Sequence, residues 1–583
     1  MANVYADDFE TITSEPTRVW CWASASVDQC EIESRGLDIK SYLAYAEAKG
    51  GIHYFRNLKF DGEFLLLEYL RQGYEQTQER KPKAGQFYSV ISDDGKWYSV
   101  KVKTRSGKNI EYRDSLKLIP MSIQATAKAF GLEITKGEID YHADRPIGYR
   151  PTAEEWDYVE RDVLIDAKAL LYFQQGGYNK LTIGSNAMHV YRGMIGGTKI
   201  FEKMFPPLIP EIDEEIRKTY KGGFVYVNPA YREKEVGAGL VCDINSHFPA
   251  RMKYEVLPYG QPRPFAGEPK PNSIWPCYTI HIKCMFWLKQ GKIPSIQLKH
   301  NIYCADNEYL EDSKGEVLDL WLTRIDYELF IEQYDIEHLQ FCGGYYFHGK
   351  VNDTFAEYID FFMTMKEEAT ISGNKGMRTI AKLFLNNLYG KFGTSPNKGK
   401  KLISYDNIHD KIVYTRVEED GPTIYVPVAT YITSAARAFT IRACQKVRDY
   451  SLLKYGFDAF LYSDTDSLHT LLPEEDIRQL LDCHETRLGA WDIEAHFTRA
   501  KYLRQKCYIE EVEVEGEKHI AVTVAGLPKN MHDLVTFDNF KVGVKYSKPD
   551  GKKRFKHVSG GVILIDVDFQ IKDRKPVRYI TDS

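Results

Sequence analysis

The sequence predicts a multidomain protein mixing α/β and α+β architecture. Its 583 residues exceed the usual span of one domain, and 43% hydrophobic content is enough for more than one core. Short apolar strands that end in acids recur near the amino terminus, the centre and the last third, with helix-like stretches between them. A helix-like run from Asp162 to Gln175 is followed by Gly176-Gly177 and Gly184, which mark a domain boundary.

At the amino terminus, Val4 and Tyr5 lead into Asp8-Phe9-Glu10, two carboxylates two apart and hence on one side of an extended strand. Asp7 precedes them without an acidic partner at i+2. Asn57-Leu58-Lys59-Phe60-Asp61-Gly62 supplies a third acid at a strand-to-helix junction. The segment from Glu154 to Val163 reads as a helix with Tyr158 and Asp162 one turn apart on one face. Four acids with a nearby phenol suit a two-metal nuclease, in which the metals generate hydroxide and the phenol orients it at phosphorus.

A central strand, Gly239 to Pro249, carries Asp243 at the end of its apolar run. Downstream, Tyr462-Ser463-Asp464-Thr465-Asp466-Ser467 reads as two short strands meeting at a tight turn that lifts carboxylates to its tip. Alone, either acid is also what a solvated turn or an Asx-turn looks like. Together, Asp243 and Asp466 provide carboxylates from two strands for two divalent cations and in-line phosphoryl transfer. Between them, Met377 to Lys391 reads as a helix. Arg378, Lys382, Asn386 and Tyr389 fall on one face, leaving Leu383, Phe384 and Leu388 for the core. Two cations, an amide and a ring suit a triphosphate, a sugar and a base.

The formal net charge of −5 argues against a nucleic-acid partner, but its distribution argues for one. Ala369 to Tyr405 contains no Asp or Glu, while Lys375, Arg378, Lys382, Lys391, Lys398, Lys400 and Lys401 are basic. Further clusters are Arg499, Lys501, Arg504 and Lys506, then Lys541, Lys545, Lys548, Lys552, Lys553, Arg554 and Lys556. The first two coincide with candidate catalytic motifs, as a phosphate track would. No run is long enough for a membrane span, and Met1 to Glu10 is not a signal peptide. Ten cysteines without a C-x-x-C pair suggest reduced thiols rather than zinc or a disulfide framework.

In order and spacing, the Asp243, Lys382 and Tyr462 segments resemble motifs A, B and C of family B DNA polymerases, nearest the protein-primed, phi-29-type branch. The resemblance spans nearly the whole chain. It implies a DnaQ/RNase H-like 3′→5′ exonuclease domain over 1–183 and a right-hand polymerase domain over 184–583. Within the latter it implies fingers near 353–394, a terminal-protein-contacting insertion near 254–351, a clamp and strand-displacement insertion near 395–426, and a thumb near 528–583. The implied metal ligands are Asp243, the Ile244 carbonyl and Asp466, with Asp464 nearby. Phe248, Lys366, Arg378, Lys382, Asn386 and Tyr389 would contact the dNTP, Lys366 from across a longer-than-usual loop. Tyr220, Gly222, Gly223 and Ser246, with Thr433, Arg437, Arg504, Lys506 and Tyr508, would contact template or primer.

In the exonuclease domain the implied catalytic set is Asp8, Glu10, Asp61, Asp162, Tyr158 and Lys136, with Glu138 a further ligand. Thr11, Asn57, Phe60, Ser115, Leu116 and Tyr141 would hold the frayed strand. Three positions depart from the family pattern: Phe248 where tyrosine is usual, Asn387 where serine is usual, and Arg56 where histidine is common. A cation at Arg56 keeps the option of meeting a phosphate. The implied cofactors are two Mg²⁺ or Mn²⁺ ions per site. The implied partners are template-primer DNA, dNTPs, a terminal protein and a single-stranded-DNA-binding protein, with the chain a monomer or a 1:1 heterodimer with terminal protein in a host bacterial cytoplasm. The competing readings are a nucleic-acid-primed polymerase, a nuclease whose carboxyl-terminal half only binds DNA, and a noncatalytic replication scaffold.

Overall fold

The amino-terminal third builds an eight-stranded sheet in the order Glu31–Gly36, Arg18–Ser26, Val4–Ile12, Gly51–Phe55, Asn109–Asp114, Trp97–Lys103, Gln86–Ile91 and Glu75–Gln76. This computed structural model describes all residues except 1–2, 135–136, 138, 141–142, 299–307, 352, 397–398, 420, 422, 515, 548–552, 559–560, 567 and 573–583. Val4–Ile12 runs parallel to Gly51–Phe55, which runs parallel to Asn109–Asp114. The strand period of two sorts the first strand's side chains. Phe9 joins one core with Tyr42, Phe55 and Phe64, whereas Ala6 joins a second with Val159 and Val163 of the helix Ala153–Gln175. Ala6, Asp8 and Glu10 share a parity, so the acids face the side that this helix covers. The helix starts with a capping box, Thr152 to Glu155, and ends before Gly176.

A second eight-stranded sheet forms the centre of the remainder. Its order is Glu517–Val524, Cys507–Val514, Trp491–Arg504, Gly239–Ile244, Ser467–Thr470, Phe460–Asp464 and Val225–Val227, with Glu235–Val236 pairing on Trp491–Arg504. The helix Val426–Tyr455, 30 residues long and buried along much of its length, packs behind this sheet. Helices Asp353–Ile371 and Lys375–Asn387 form an antiparallel pair joined by the short turn at 372–374, not by the long loop expected from sequence. The second helix also stops earlier than expected. Asn387 Nδ2 donates to the Leu383 carbonyl at 2.8 Å and the Tyr358 hydroxyl to the Phe384 carbonyl at 3.0 Å. The Phe384 carbonyl would otherwise accept from Leu388 N in a continuing helix. A separate turn, Tyr389–Phe392, follows.

The first expected insertion is a four-stranded sheet, Val256–Phe265, Tyr334–Val351, Cys277–Leu288 and Leu318–Thr323. Beside this sheet, Ile296 and Leu310 form an isolated bridge. The second insertion is the hairpin Lys400–Asp406 and Lys411–Val417, docked on the amino-terminal domain. Ile403 and Ile412 join the core of Phe64 and Leu67, and Tyr414 donates to Glu63 at 2.7 Å. Near the carboxyl end, the hairpin Lys553–Val558 and Gly561–Asp566 reaches the same domain, where Leu564 N donates to Thr13 O at 2.9 Å. Among the described residues no helix is long and apolar enough to cross a membrane.

Candidate active sites

Asp243 sits at the end of the central strand, in register with Ser467 on one side and Asp492 on the other. The facing hairpin pairs Asp464 with Ser467, leaving Thr465 and Asp466 as its turn, with Thr465 at φ +62°. Asp464 and Asp466 therefore approach at the tip of a tight turn between two short strands, as the sequence predicted. Ile244 N donates to Asp466 O at 2.9 Å, tying the two acid-bearing segments together. Burial, then Asp466 and Glu494, push the Asp243 carboxyl up to about 7. Asp466 is likewise raised, by burial and then by Asp464 and Glu494. Acids held ionised here need positive charge. Asp464 has some from Lys506, whose Nζ lies 2.8 Å away. That pair is exposed and worth little, so it exchanges readily for a phosphate.

On the neighbouring helix Arg378, Lys382 and Asn386 are exposed on one face while Phe384 and Leu388 are buried, as the periodicity predicted. Lys366 joins them: burial, then Arg378 and Lys382, hold its ammonium below the usual lysine range. Three cations that form no ion pair among the described residues thus share one surface. Phe248 stacks on Tyr389 at 4.2 Å between centroids, and burial, Tyr220 and Asp466 push the Tyr389 phenol up to about 12. Gly223 packs on the acidic turn so closely that a Cβ there would come within 2.5 Å of Thr465 Oγ1. Thr433 and Arg437 are buried. Arg437 pairs with Asp326 at 2.8 Å and donates to the carbonyls of Lys221 and Gly222 at 2.9 Å. Its observed bonds hold the glycine loop in place.

In the amino-terminal domain Asp61 lies in the first turn of the helix Leu58–Arg71, after Asn57 at φ +68°. Ser246 takes φ +51° at the corresponding junction before the helix His247–Tyr254. Burial, then Asp8 and Glu10, push the Asp61 carboxyl well up, which places the three acids within electrostatic reach. Asp61 Oδ1 is buried without a hydrogen-bond partner. The helix carrying Tyr158 and Asp162 packs against the strand of Asp8 and Glu10. Gly137 lies against Tyr158, while Lys136, Glu138 and Tyr141 fall outside the described residues. Asp114 Oδ1 accepts from Asn57 N and Leu116 N, bringing two expected strand contacts together. Arg56 does not offer the free cation expected. It donates to the carbonyls of Ile119 and Met121 and pairs with Asp166, which also accepts from buried Ser115 at 2.6 Å.

Each site offers hard oxygen ligands: Asp243, Asp466 and the Ile244 carbonyl in one, Asp8, Glu10, Asp61 and Asp162 in the other. Repulsion among these acids and the orphaned Asp61 oxygen fit divalent cations. Among the described residues no three such side chains close into a cage, so water or phosphate oxygens would complete the coordination, as Mg²⁺ commonly requires.

The family model for DNA polymerase type B, organellar and viral, matches residues 45–150 and 144–476. The DNA polymerase of Bacillus phage phi29 is 36% identical over 98% of this chain and 99% of its own length. The chain belongs to the phi29-type family B DNA polymerases. The DNA polymerase of Streptococcus phage Cp-1 is 33% identical, again over 98% of the chain and 99% of the relative. The phi29 enzyme solved with primer-template DNA superposes with a TM-score of 0.89 at 34% identity, over 98% of this chain and all of that one. Its complex with incoming nucleotides gives 0.88 with the same identity and coverage. The polymerase therefore has an exonuclease domain followed by palm, fingers and thumb, with two insertions.

Sequence reading missed some of the polymerase's acidic residues. Asp492 and Glu494 lie on the strand beside Asp243 and raise its carboxyl. Their i, i+2 spacing in Trp491-Asp492-Ile493-Glu494 was the same signal that singled out Asp8 and Glu10. The pairing of Lys506 with Asp464 had no local signal, because 42 residues separate them.

Proposed function

We propose that this DNA polymerase copies a linear genome by protein-primed, processive strand-displacement synthesis and proofreads with a separate 3′→5′ exonuclease site. The convergence of Asp243 and Asp466 at one turn, beside the Lys366, Arg378 and Lys382 surface, carries the synthetic half. The Asp8, Glu10, Asp61 cluster supports the exonuclease half. When bound, two Mg²⁺ or Mn²⁺ ions per site would activate the attacking oxygen and neutralise the leaving one. Asp243 and Asp466 would hold them in the palm, Asp8, Glu10 and Asp162 in the exonuclease.

The protein's own residues do the rest. Arg378, Lys382 and Lys366 bind the triphosphate and neutralise charge on departing pyrophosphate. Phe248, backed by Tyr389, fills the space beside the sugar C2′, and Asn386 lines the nascent pair. Lys506 leaves Asp464 for the primer phosphate, while Tyr508, Arg504, Tyr220 and the Gly222-Gly223 loop hold the strands. Tyr158 orients the hydrolytic water. Phi29 polymerase has been solved with primer-template DNA, with incoming nucleotides and with single-stranded DNA, which supports these ligands here.

We assign the exonuclease to 1–183 and the polymerase to 184–583. The sheet around 254–351 would meet a terminal protein, and the hairpin in 395–426 would close around DNA and part the downstream duplex. The enzyme would be phage-encoded and act in a bacterial cytoplasm, with a single-stranded-DNA-binding protein covering displaced strand. The test is a replication assay that offers the replicon's terminal protein or an oligonucleotide as primer. Labelled nucleotide covalently joined to terminal protein is the expected result; extension of the oligonucleotide alone overturns protein priming.

A further inference from the structure

Beneath the catalytic turn lies a buried polar chain that no step above uses. Glu510 Oε1 accepts from His469 Nδ1 at 2.6 Å and from the Tyr502 hydroxyl at 2.8 Å. His469 Nε2 faces Ser467 Oγ at 3.5 Å, and Ser467 Oγ accepts from Asp464 N at 3.2 Å. Glu510, His469 and Tyr502 are all buried. Their rings form a cluster with Tyr462 and Tyr508, with His469 5.0 Å from Tyr462 and 5.3 Å from Tyr508 between centroids. The Tyr462 hydroxyl accepts from Lys506 N at 3.1 Å.

The donors run in one direction. A carboxylate only accepts, so Glu510 fixes the His469 proton on Nδ1 and leaves Nε2 as an acceptor. That acceptor draws the Ser467 hydroxyl proton toward it and leaves an oxygen lone pair for Asp464 N–H. With its hydroxyl hydrogen turned the other way, the same Ser467 Oγ would donate to Asp464 O at 3.3 Å. Glu510 lies on Cys507–Val514 and His469 on Ser467–Thr470, strands separated in the sheet by two others. Their bond therefore ties the hairpin that presents Lys506 to the hairpin that presents Asp464 and Asp466.

Resting on the DNA-synthesis reading above, we propose that Glu510, acting through His469 and Ser467, is a positioning residue that holds the Asp464–Ser467 turn in its metal-binding geometry. Groups that orient a metal ligand through hydrogen bonds commonly affect activity by ~10- to 100-fold.

The test uses the full chain in single-turnover primer extension with Mg²⁺ titration, and digestion of single-stranded DNA as the control for folding. Glu510→Leu removes the acceptor, and His469→Phe keeps the ring while deleting both hydrogen bonds. Each should lower kcat about tenfold and raise the Mg²⁺ needed for half-maximal rate, with dNTP KM unchanged. The double variant should be no worse than either single one, since all three break one chain. Glu510→Gln keeps an acceptor and should restore most of the rate. Parental kcat in folded His469→Phe, multiplicative losses in the double variant, or equal losses of digestion and extension would each overturn the proposal. An unmodified chain that incorporates no dNTP would instead defeat the underlying reading.

Discussion

Asp243→Asn should make the metal-free protein more stable while abolishing synthesis. Asp243 is held near 7 against an ordinary value of 3.8, by burial and by the negative charges of Asp466 and Glu494. Each tenfold change in proton affinity is worth about 1.4 kcal/mol, so the ionised carboxylate costs the fold at most about 4 kcal/mol. The side chain is partly open to solvent, and screening reduces that to about 2 kcal/mol. An acid raised on folding opposes stability where it is ionised. The cost is therefore full above pH 7, shrinks as pH falls through 7, and vanishes toward pH 4. Asparagine removes it at every pH. Denaturant unfolding at pH 8 in chelator should show Asp243→Asn about 2 kcal/mol more stable, with the gap narrowing toward pH 5. Mg²⁺ should stabilise the parent and do much less for the variant. Equal stability in chelator at pH 8, or equal stabilisation by Mg²⁺, would refute the claim that burial and mutual repulsion of these acids prepare a cation site.

Other consequences are more direct. Asp8→Ala with Glu10→Ala should remove digestion of single strands and leave primer extension on gapped templates; digestion at the parental rate would make these acids ordinary surface charge. Phe248→Val should raise ribonucleotide use relative to deoxyribonucleotide use by about tenfold or more, read as the ratio of kcat/KM values, whereas Phe248→Tyr should be mild because the ring is kept. Tyr414→Phe with Asp410→Ala removes a hydrogen bond to Glu63 worth about 1 kcal/mol and a weaker surface pair with Arg71. Synthesis through duplex-blocked template should then give shorter products in the presence of an enzyme trap, with addition of the first nucleotides unchanged.

Local pattern was enough to group many of the residues that the structure brings together. Strand periodicity put Asp8 and Glu10 on one face, and the helical repeat put Arg378, Lys382 and Asn386 on another, because those relations depend only on neighbours in the chain. The motif order also carried the right-hand architecture. What sequence did not reach was decided by contacts between distant segments. The approach of Asp243 to the Asp464–Asp466 turn came from the pairing of strands more than 220 residues apart, tied by Ile244 N to Asp466 O. The early end of the Lys375–Asn387 helix came in part from Tyr358, which takes the Phe384 carbonyl from a different helix. Arg56 read as a free cation until Asp166, 110 residues away, was placed beside it. The raised carboxyls of Asp243 and Asp61 have the same origin: isolated strands and helices leave acids solvated, and only packing removes water and sets like charges together.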